Sequence, residues 1–291
     1  MNRFFAAAAL AGALHAGVAS PAPRMPPVTD PPTTISIPGK FIWFDLITPD
    51  PLAAQAFYGQ VFGWSFQPVA GVSDYTVIAA DGRLVGGVFQ PVAGAGSPVG
   101  TRWLGFVSVR DLRKTISRLG GMGFTTVLPA TEVPGRGTQA VVRDPQGAIV
   151  GLLKSASGDP RDEPVGPGEF FWVDLYARDV VTASAAYAAI GYNVVPADED
   201  LGDRMLLEAS GYARAGITQL PPEGRQPGWL PYVQVEDVAA TVATATSAGG
   251  KVLMPPDPAV LEGNVAVIGD PLGGVIGVIH WTPEGGQEAN P

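Results

Sequence analysis

The chain has 291 residues, 46% of them hydrophobic and 15% charged, with a net charge of −9 and no cysteine. That composition describes a folded protein of about two ordinary domains and excludes disulfides, iron–sulfur clusters, thiolate zinc sites and a cysteine nucleophile. The acidic balance, with no Lys/Arg cluster to displace counterions from phosphates, argues against nucleic acid as a partner.

The opening MNRFFAAAALAGALHAGVASPAP has one early Arg, a short apolar run and small residues around Gly17, Ala19 and Ser20. It reads as a signal peptide over residues 1–20, which predicts an exported protein, periplasmic or secreted. An uncleaved anchor and a start at Met25 are the alternatives, and the latter would leave the protein cytoplasmic. The run is shorter than the roughly 20 residues a spanning helix needs, and no later stretch is better, so the mature form is expected to hold no membrane span. Cleavage would remove His15 and leave His280 as the last histidine. Residues 21–36 are rich in Pro and Thr and read as a tether.

FIWFDL at 41–46 reads as a buried strand with an acid, Asp45, inside it. The motif returns: PGKFIWFDLITPD (38–50) matches PGEFFWVDLYARD (167–179), which brings Asp174 to the same place. WLGFVSVRDL (103–112) likewise returns as WLPYVQVEDV (229–238), and VVRDPQGAIVGLL (141–153) as AVIGDPLGGVIGVI (266–279). Two homologous domains follow, over 37–156 and 167–283, with a linker at 157–166 and a loose tail at 284–291.

A finer period lies inside each domain. Four times an apolar strand runs into an Asp, a helical segment, a glycine and further strands. Asp50, Asp111, Asp179 and Asp237 are the expected helix N-caps, and Pro51 suits a first helical position. Gly63, Gly120 with Gly121, Gly191, and Gly249 with Gly250 are the expected stops. Ala54, Phe57, Tyr58 and Val61 share one buried helix face. Three short strands follow each helix, and Asp144-Pro145-Gln146-Gly147 and Asp270-Pro271-Leu272-Gly273 have the residue order of type I turns joining antiparallel hairpins. The predicted fold class is α+β, built from four βαβββ units.

With FIWFDLITPDPLAAQAFYGQVFGW (41–64), WLGFVSVRDL (103–112) and the two DPxG endings in place, the sequence resembles the vicinal oxygen chelate superfamily of glyoxalases, extradiol dioxygenases and bleomycin-resistance proteins, in its tandem-domain form. The resemblance implies that paired βαβββ units make a cupped mixed sheet around a small-molecule pocket, with helices outside. It also implies a divalent metal held by His and Glu. The corresponding positions here are Trp43, Leu104 and Gly151, and Trp172, Leu230 and Gly277, none of which coordinates a metal. Sliding the count by one reaches Phe44, Gly105 or Leu152 and changes nothing. A site of two histidines and a carboxylate needs more histidines than the mature chain has, and no carboxylate spacing suggests Ca²⁺ or Mg²⁺. No metal and no other cofactor is expected, and the glycines at former ligand positions are expected to add room.

Strand alternation then predicts what lines each cup. Trp43, Asp45, Ile47, Leu104, Phe106, Ser108, Ile149, Gly151 and Leu153 face the first. Trp172, Asp174, Tyr176, Leu230, Tyr232, Gln234, Val275, Gly277 and Ile279 face the second. From these, Trp43, Asp45, Phe106, Ser108, Trp172, Asp174, Tyr176, Tyr232 and Gln234 are the candidate ligand contacts, and Asp45 and Asp174 the candidate catalytic residues. Trp103 and Trp229, one position out of phase, are assigned to the core. His280, at the end of the last strand, is read as structural, and GAGSPVG (94–100) as a connecting loop. The leading expectation is a metal-free protein that binds a small, partly apolar molecule in one or both cups. The rivals are a metal-independent lyase or isomerase with Asp45 or Asp174 as general base, and a scaffold whose cups are filled. A homodimer is left open.

Overall fold

A computed structural model describes residues 24–91, 100–197, 204–221 and 226–282. The segment expected as a signal peptide (1–20), nearly all of the 94–100 loop and the 284–291 tail lie outside the described residues. The first domain runs β1 (Phe41–Ile47), α1 (Pro51–Phe62), β2 (Ser65–Pro68), β3 (Tyr75–Ala80), β4 (Arg83–Phe89), β5 (Arg102–Ser108), α2 (Leu112–Gly121), β6 (Thr125–Val133), β7 (Gly137–Arg143) and β8 (Ile149–Ser155). The second repeats the order: β9 (Phe170–Ala177), α3 (Val180–Ala188), β10 (Asn193–Pro196), β11 (Met205–Ala209), β12 (Tyr212–Gln219), β13 (Gly228–Gln234), α4 (Val238–Ser247), β14 (Lys251–Met254), β15 (Val265–Gly269) and β16 (Val275–Ile279).

Each domain folds into one eight-stranded mixed sheet, ordered β2-β3-β4-β1-β5-β8-β7-β6 and β10-β11-β12-β9-β13-β16-β15-β14. The opening strand of every unit runs parallel to the closing strand of that unit, and the two opening strands of a domain pair antiparallel at its centre. The predicted α+β class and the four βαβββ units are therefore what the chain forms.

Local chemistry sets the helix ends. The Asp50, Asp111, Asp179 and Asp237 carboxylates each accept the amide three residues on, which satisfies a first-turn donor. α1 stops at Gly63 with φ 68°, a left-handed conformation that glycine adopts without a Cβ clash. The stop expected at Gly120 and Gly121 is displaced: both lie inside α2, and the left-handed residue is Gly123, φ 86°. Glycine's poor helix propensity did not end the helix because the Leu119 carbonyl accepts the amides of Met122 and Phe124 and carries the turn onward.

The stretch expected as a tether is docked instead. From Arg24 to Ile37 the chain lies against the end of β8, where the Ser157 side chain takes the amides of Val28 and Thr29. The amide of Ile37 reaches Asp159, and Val28 itself is buried. Pro/Thr composition excluded regular structure there, but the backbone donors found partners on the neighbouring strand end.

The two sheets share one apolar layer, which holds the helices and runs continuously between the domains. Trp103 and Trp229 lie in it, as their phase predicts. Its polar centre is a pair of quasi-symmetric triads. Tyr58 on α1 donates to Asp270 of the other domain's turn at 3.0 Å and accepts from Trp103 at 3.2 Å. Tyr187 on α3 donates to Asp144 at 3.1 Å and accepts from Trp229 at 3.2 Å. Each turn aspartate divides its oxygens, Oδ1 holding the amides of its own turn and Oδ2 the tyrosine of the other domain. Burial, with the neighbouring carboxylate, pushes both phenols well above their ordinary pKa, so they remain donors.

Tyr58→Phe would strand a buried carboxylate oxygen and the Trp103 indole. It is expected to lower unfolding stability by about 1–3 kcal/mol, measured by urea denaturation, and Tyr187→Phe by a similar amount.

Candidate functional site

The alternation that predicted the cup linings is realised on the concave face of each sheet. Trp43, Ile47, Leu104, Phe106, Ile149 and Leu153 gather in one apolar cluster. Trp172, Tyr176, Leu230, Tyr232, Val275 and Ile279 gather in another. In each cup the indole Nε1 donates to the carboxylate two residues on, Trp43 to Asp45 and Trp172 to Asp174, at 2.8 Å in both. The β-strand period explains this: residues two apart stand side by side on one face, close enough for the indole edge to meet the acid.

Beyond that shared pair the cups diverge. Asp45 faces Gly87 of β4, which faces Val77 of β3, and Tyr75 stands two residues before Val77 on the same face. The Tyr75 hydroxyl donates to Asp45 at 2.6 Å. In the second domain the same steps lead from Asp174 through Gly216 and Leu206 to Arg204, which forms an ion pair with Asp174. Equivalent positions thus hold a phenol in one cup and a guanidinium in the other. Gly87 and Gly216 are required for space, since a Cβ on either would overlap Tyr75 or the Asp174–Arg204 pair.

Cup 1 is filled. Arg136, from the turn between β6 and β7, lies flat on the Trp43 ring with its Cζ 3.8 Å from the centroid, and bonds the Tyr75 hydroxyl and the Pro26 carbonyl. Trp43 and Arg136 are only 1% and 2% exposed. Burial raises the Asp45 pKa, opposed by the nearby Arg136 charge and by the Tyr75 and Trp43 hydrogen bonds.

Cup 2 is less covered. Tyr176, Leu206, Phe171 and Arg204 are half-buried around the buried Trp172, Asp174 and Tyr232. The Tyr176 and Tyr232 hydroxyls lie 3.2 Å apart. Burial, with the Asp174 charge, holds the Tyr232 phenol well above its ordinary pKa. A cavity of about 240 Å³ opens beside this cup at the domain junction, walled by Phe171, Trp172, Ala213 and Arg214 of domain 2 and by Lys40 and Phe41 of domain 1. Space therefore lies next to the predicted lining rather than over its centre.

Two predicted contacts are otherwise engaged. Ser108 donates to the buried Asp159 at 2.6 Å, and Gln234 exchanges two hydrogen bonds with the backbone of Trp281. His280 closes its strand end through its ring Nδ1 and the Val235 carbonyl, 2.9 Å apart. Arg136 and Arg204 were missed from sequence. A buried acid calls for a countercharge, but nothing in the local sequence says which arginine a β-sheet brings to it.

The metal site implied by the fold does not fit these residues. At the closing-strand position a Cβ on Gly151 would overlap the Phe106 ring, and one on Gly277 the Tyr232 ring. Glycine there makes room for an aromatic neighbour, which corrects the expectation of an opened cup. Among the described residues no three His, Asp or Glu side chains gather closely enough to share an ion.

Comparison with known proteins follows the same lines. The profile of the glyoxalase-like domain matches residues 41–152. The "Putative glyoxylase CFP32" of Mycobacterium tuberculosis is 28% identical over 247 residues, 83% of this chain and 95% of that protein. The anthracycline biosynthesis protein DauV of Streptomyces sp. is 28% identical over 233 residues, 74% and 84% of the two chains. Among solved structures, the Mn(II)-bound glyoxalase of Novosphingobium aromaticivorans aligns with TM-score 0.57 at 16% identity, covering 84% of this chain and 83% of its own. The 2,3-dioxygenase LapB of Pseudomonas sp. KL28 aligns with TM-score 0.57 at 15% identity, covering 89% and 97%. At such identity the structures share the fold alone. Residues 41–152 thus match a glyoxalase-like domain, and the two tandem βαβββ sheets give the chain the fold seen in glyoxalases and extradiol dioxygenases, as its resemblance to the vicinal oxygen chelate superfamily implies.

Proposed function

We propose that the protein binds a small, partly apolar molecule in cup 2, without a metal ion. One observation carries this reading: of two homologous cups, only the second keeps half-buried aromatic and polar groups around its acid, with a cavity adjoining. Asp174 and Arg204 cancel in charge, so a neutral or zwitterionic ligand suits the site better than an ion. The Trp172, Tyr176, Tyr232 and Phe171 rings supply flat apolar walls, and the two hydroxyls supply hydrogen bonds. A relative named for anthracycline biosynthesis is in keeping with an aromatic-walled pocket. Export through the 1–20 segment remains part of the proposal. Among the described residues no helix is long and apolar enough to cross a membrane.

The rival reading, a metal-independent lyase or isomerase, is better served by Asp174 than by Asp45. Asp174 is paired with Arg204 in the less covered cup, while Asp45 lies under Arg136 in a packed interior with its pKa raised by burial. In cup 1 the Arg136 side chain occupies the place over Trp43 that a ligand would take.

A thermal-shift screen of aromatic and carbonyl compounds on protein lacking residues 1–20 tests the binding proposal. Tyr232→Phe and Tyr176→Phe are expected to weaken a hit about tenfold or more, with a stability change of about 1 kcal/mol. Hits that neither variant affects would count against cup 2. Asp174→Asn is the poorer probe, because it strands the Arg204 charge and costs fold as well as function.

The Asp45 carboxyl yields a pH prediction. Its folded pKa is raised above the unfolded value near 4, so its contribution to stability is present below that range and is lost as pH rises through the folded pKa. The advantage of wild type over Asp45→Asn in melting midpoint is therefore expected to be largest near pH 4 and to shrink toward pH 7. An advantage that grows with pH would mean that Arg136 holds Asp45 ionised.

A further inference from the structure

Among the described residues, cup 1 is closed by a strap and by an arginine that have no counterpart in cup 2. One is the strap that precedes β1. Its Met25 amide donates to the Pro134 carbonyl at 2.8 Å, the Val28 and Thr29 amides both donate to the Ser157 hydroxyl at 3.0 Å, and the Thr33 amide reaches the Ser157 carbonyl at 2.7 Å. Val28, 4% exposed, is packed into the same cluster as Trp43, Leu104 and Phe106. The other piece is Arg136, whose Nε donates at 2.8 Å to the Pro26 carbonyl of that strap. Strap and plug are thus tied together, and the described apolar residues of cup 2 all come from domain 2 itself.

The occupant of the floor is informative. Arg136 places a planar, delocalised cation on the Trp43 face beside the Asp45 carboxylate. In cup 2 a guanidinium again stands near the matching indole and acid, Arg204 with its Cζ 5.8 Å from the Trp172 centroid. The two arginines come from unrelated places in the chain, one from the hairpin of the second unit and one from the start of the second strand after a helix. Two independent routes to one kind of occupant identify the chemistry that the Trp-x-Asp floor selects: an indole face attracts a flat cation through its quadrupole, and the carboxylate beside it supplies the countercharge.

We propose that cup 1 is a gated site for a planar cation of the guanidinium or amidinium class, filled in the closed state by Arg136 and held shut by the strap at residues 25–30. When the strap lifts, Val28 leaves the cluster and the Pro26 carbonyl releases the guanidinium. Arg136 then extends into water on its apolar stem, and an external planar cation takes its place on Trp43. This proposal concerns domain 1 and stands or falls separately from binding in cup 2.

The test uses the full chain, with benzamidine as the probe and benzamide as its neutral counterpart, both followed by calorimetry. Arg136→Ala vacates the floor and is expected to bind benzamidine about tenfold or more tightly than wild type, with no such gain for benzamide. Adding Asp45→Asn to that variant is expected to remove the gain, while adding Tyr232→Phe leaves it intact. Ser157→Ala, which deletes the acceptor for two strap amides but keeps Arg136, is expected to speed hydrogen exchange at residues 25–30 and to raise benzamidine affinity by a smaller factor. Equal affinities for benzamidine and benzamide in Arg136→Ala, or a gain that survives Asp45→Asn, would overturn the proposal. If Arg136→Ala does not fold, Ser157→Ala decides alone, and loosened strap exchange with unchanged benzamidine affinity would overturn it.

Discussion

A carboxylate set in the middle of an apolar strand must be given donors, because an unpartnered charge cannot be held in a protein interior. Asp45 and Asp174 impose that requirement at the centre of each sheet. The indole two residues earlier meets part of it in both domains. What completes it differs, and that difference decides the character of each cup. Tyr75 and the stacked Arg136 complete it in domain 1 and leave a packed interior. A direct ion pair with Arg204 completes it in domain 2 and leaves the tyrosine pair and a neighbouring cavity at the margin. Two equivalent frames thus satisfy the same acid differently, with Tyr75 in one and Arg204 in the other at the same register position.

The same economy governs the junction of the domains. The turn aspartates Asp144 and Asp270 already cap their own hairpins, and each keeps a second oxygen for a tyrosine of the other domain. With Phe44 stacked on Phe170 at 4.0 Å, the junction resembles a shared core more than a contact between independent modules. This rigid layer lies behind the sheets, so the concave faces can vary in chemistry without disturbing the packing that holds the domains together. It also explains why Trp103 and Trp229, one position out of phase with the cup, pack into this layer, Trp103 fully buried and Trp229 half-buried.

The residues at the positions where the resemblance implies metal ligands do not fit such a centre. Glycine stands at the closing-strand position of both domains, and in both the ring of the adjacent strand, Phe106 or Tyr232, lies over it. The misfit is steric as well as chemical: a ligating side chain at Gly151 or Gly277 would also require removing the aromatic that lies over it.

Much of this was written in the chain. Repeats, Asp caps and DPxG turns are local, spacing-dependent signals, so the four βαβββ units and the phase of each strand could be read directly, and with them the two sets of residues that face the cups. Composition likewise spoke against a histidine-based centre without any structure. Only tertiary structure decided which cup is filled. Arg136 lies 91 positions from Asp45 and Arg204 30 from Asp174, and strand pairing rather than sequence proximity brings them together. The docking of residues 24–37 was invisible for the same reason: an aperiodic, Pro-rich stretch carries no pattern of its own, and its backbone is ordered by Ser157 and Asp159, whose positions depend on the completed sheet.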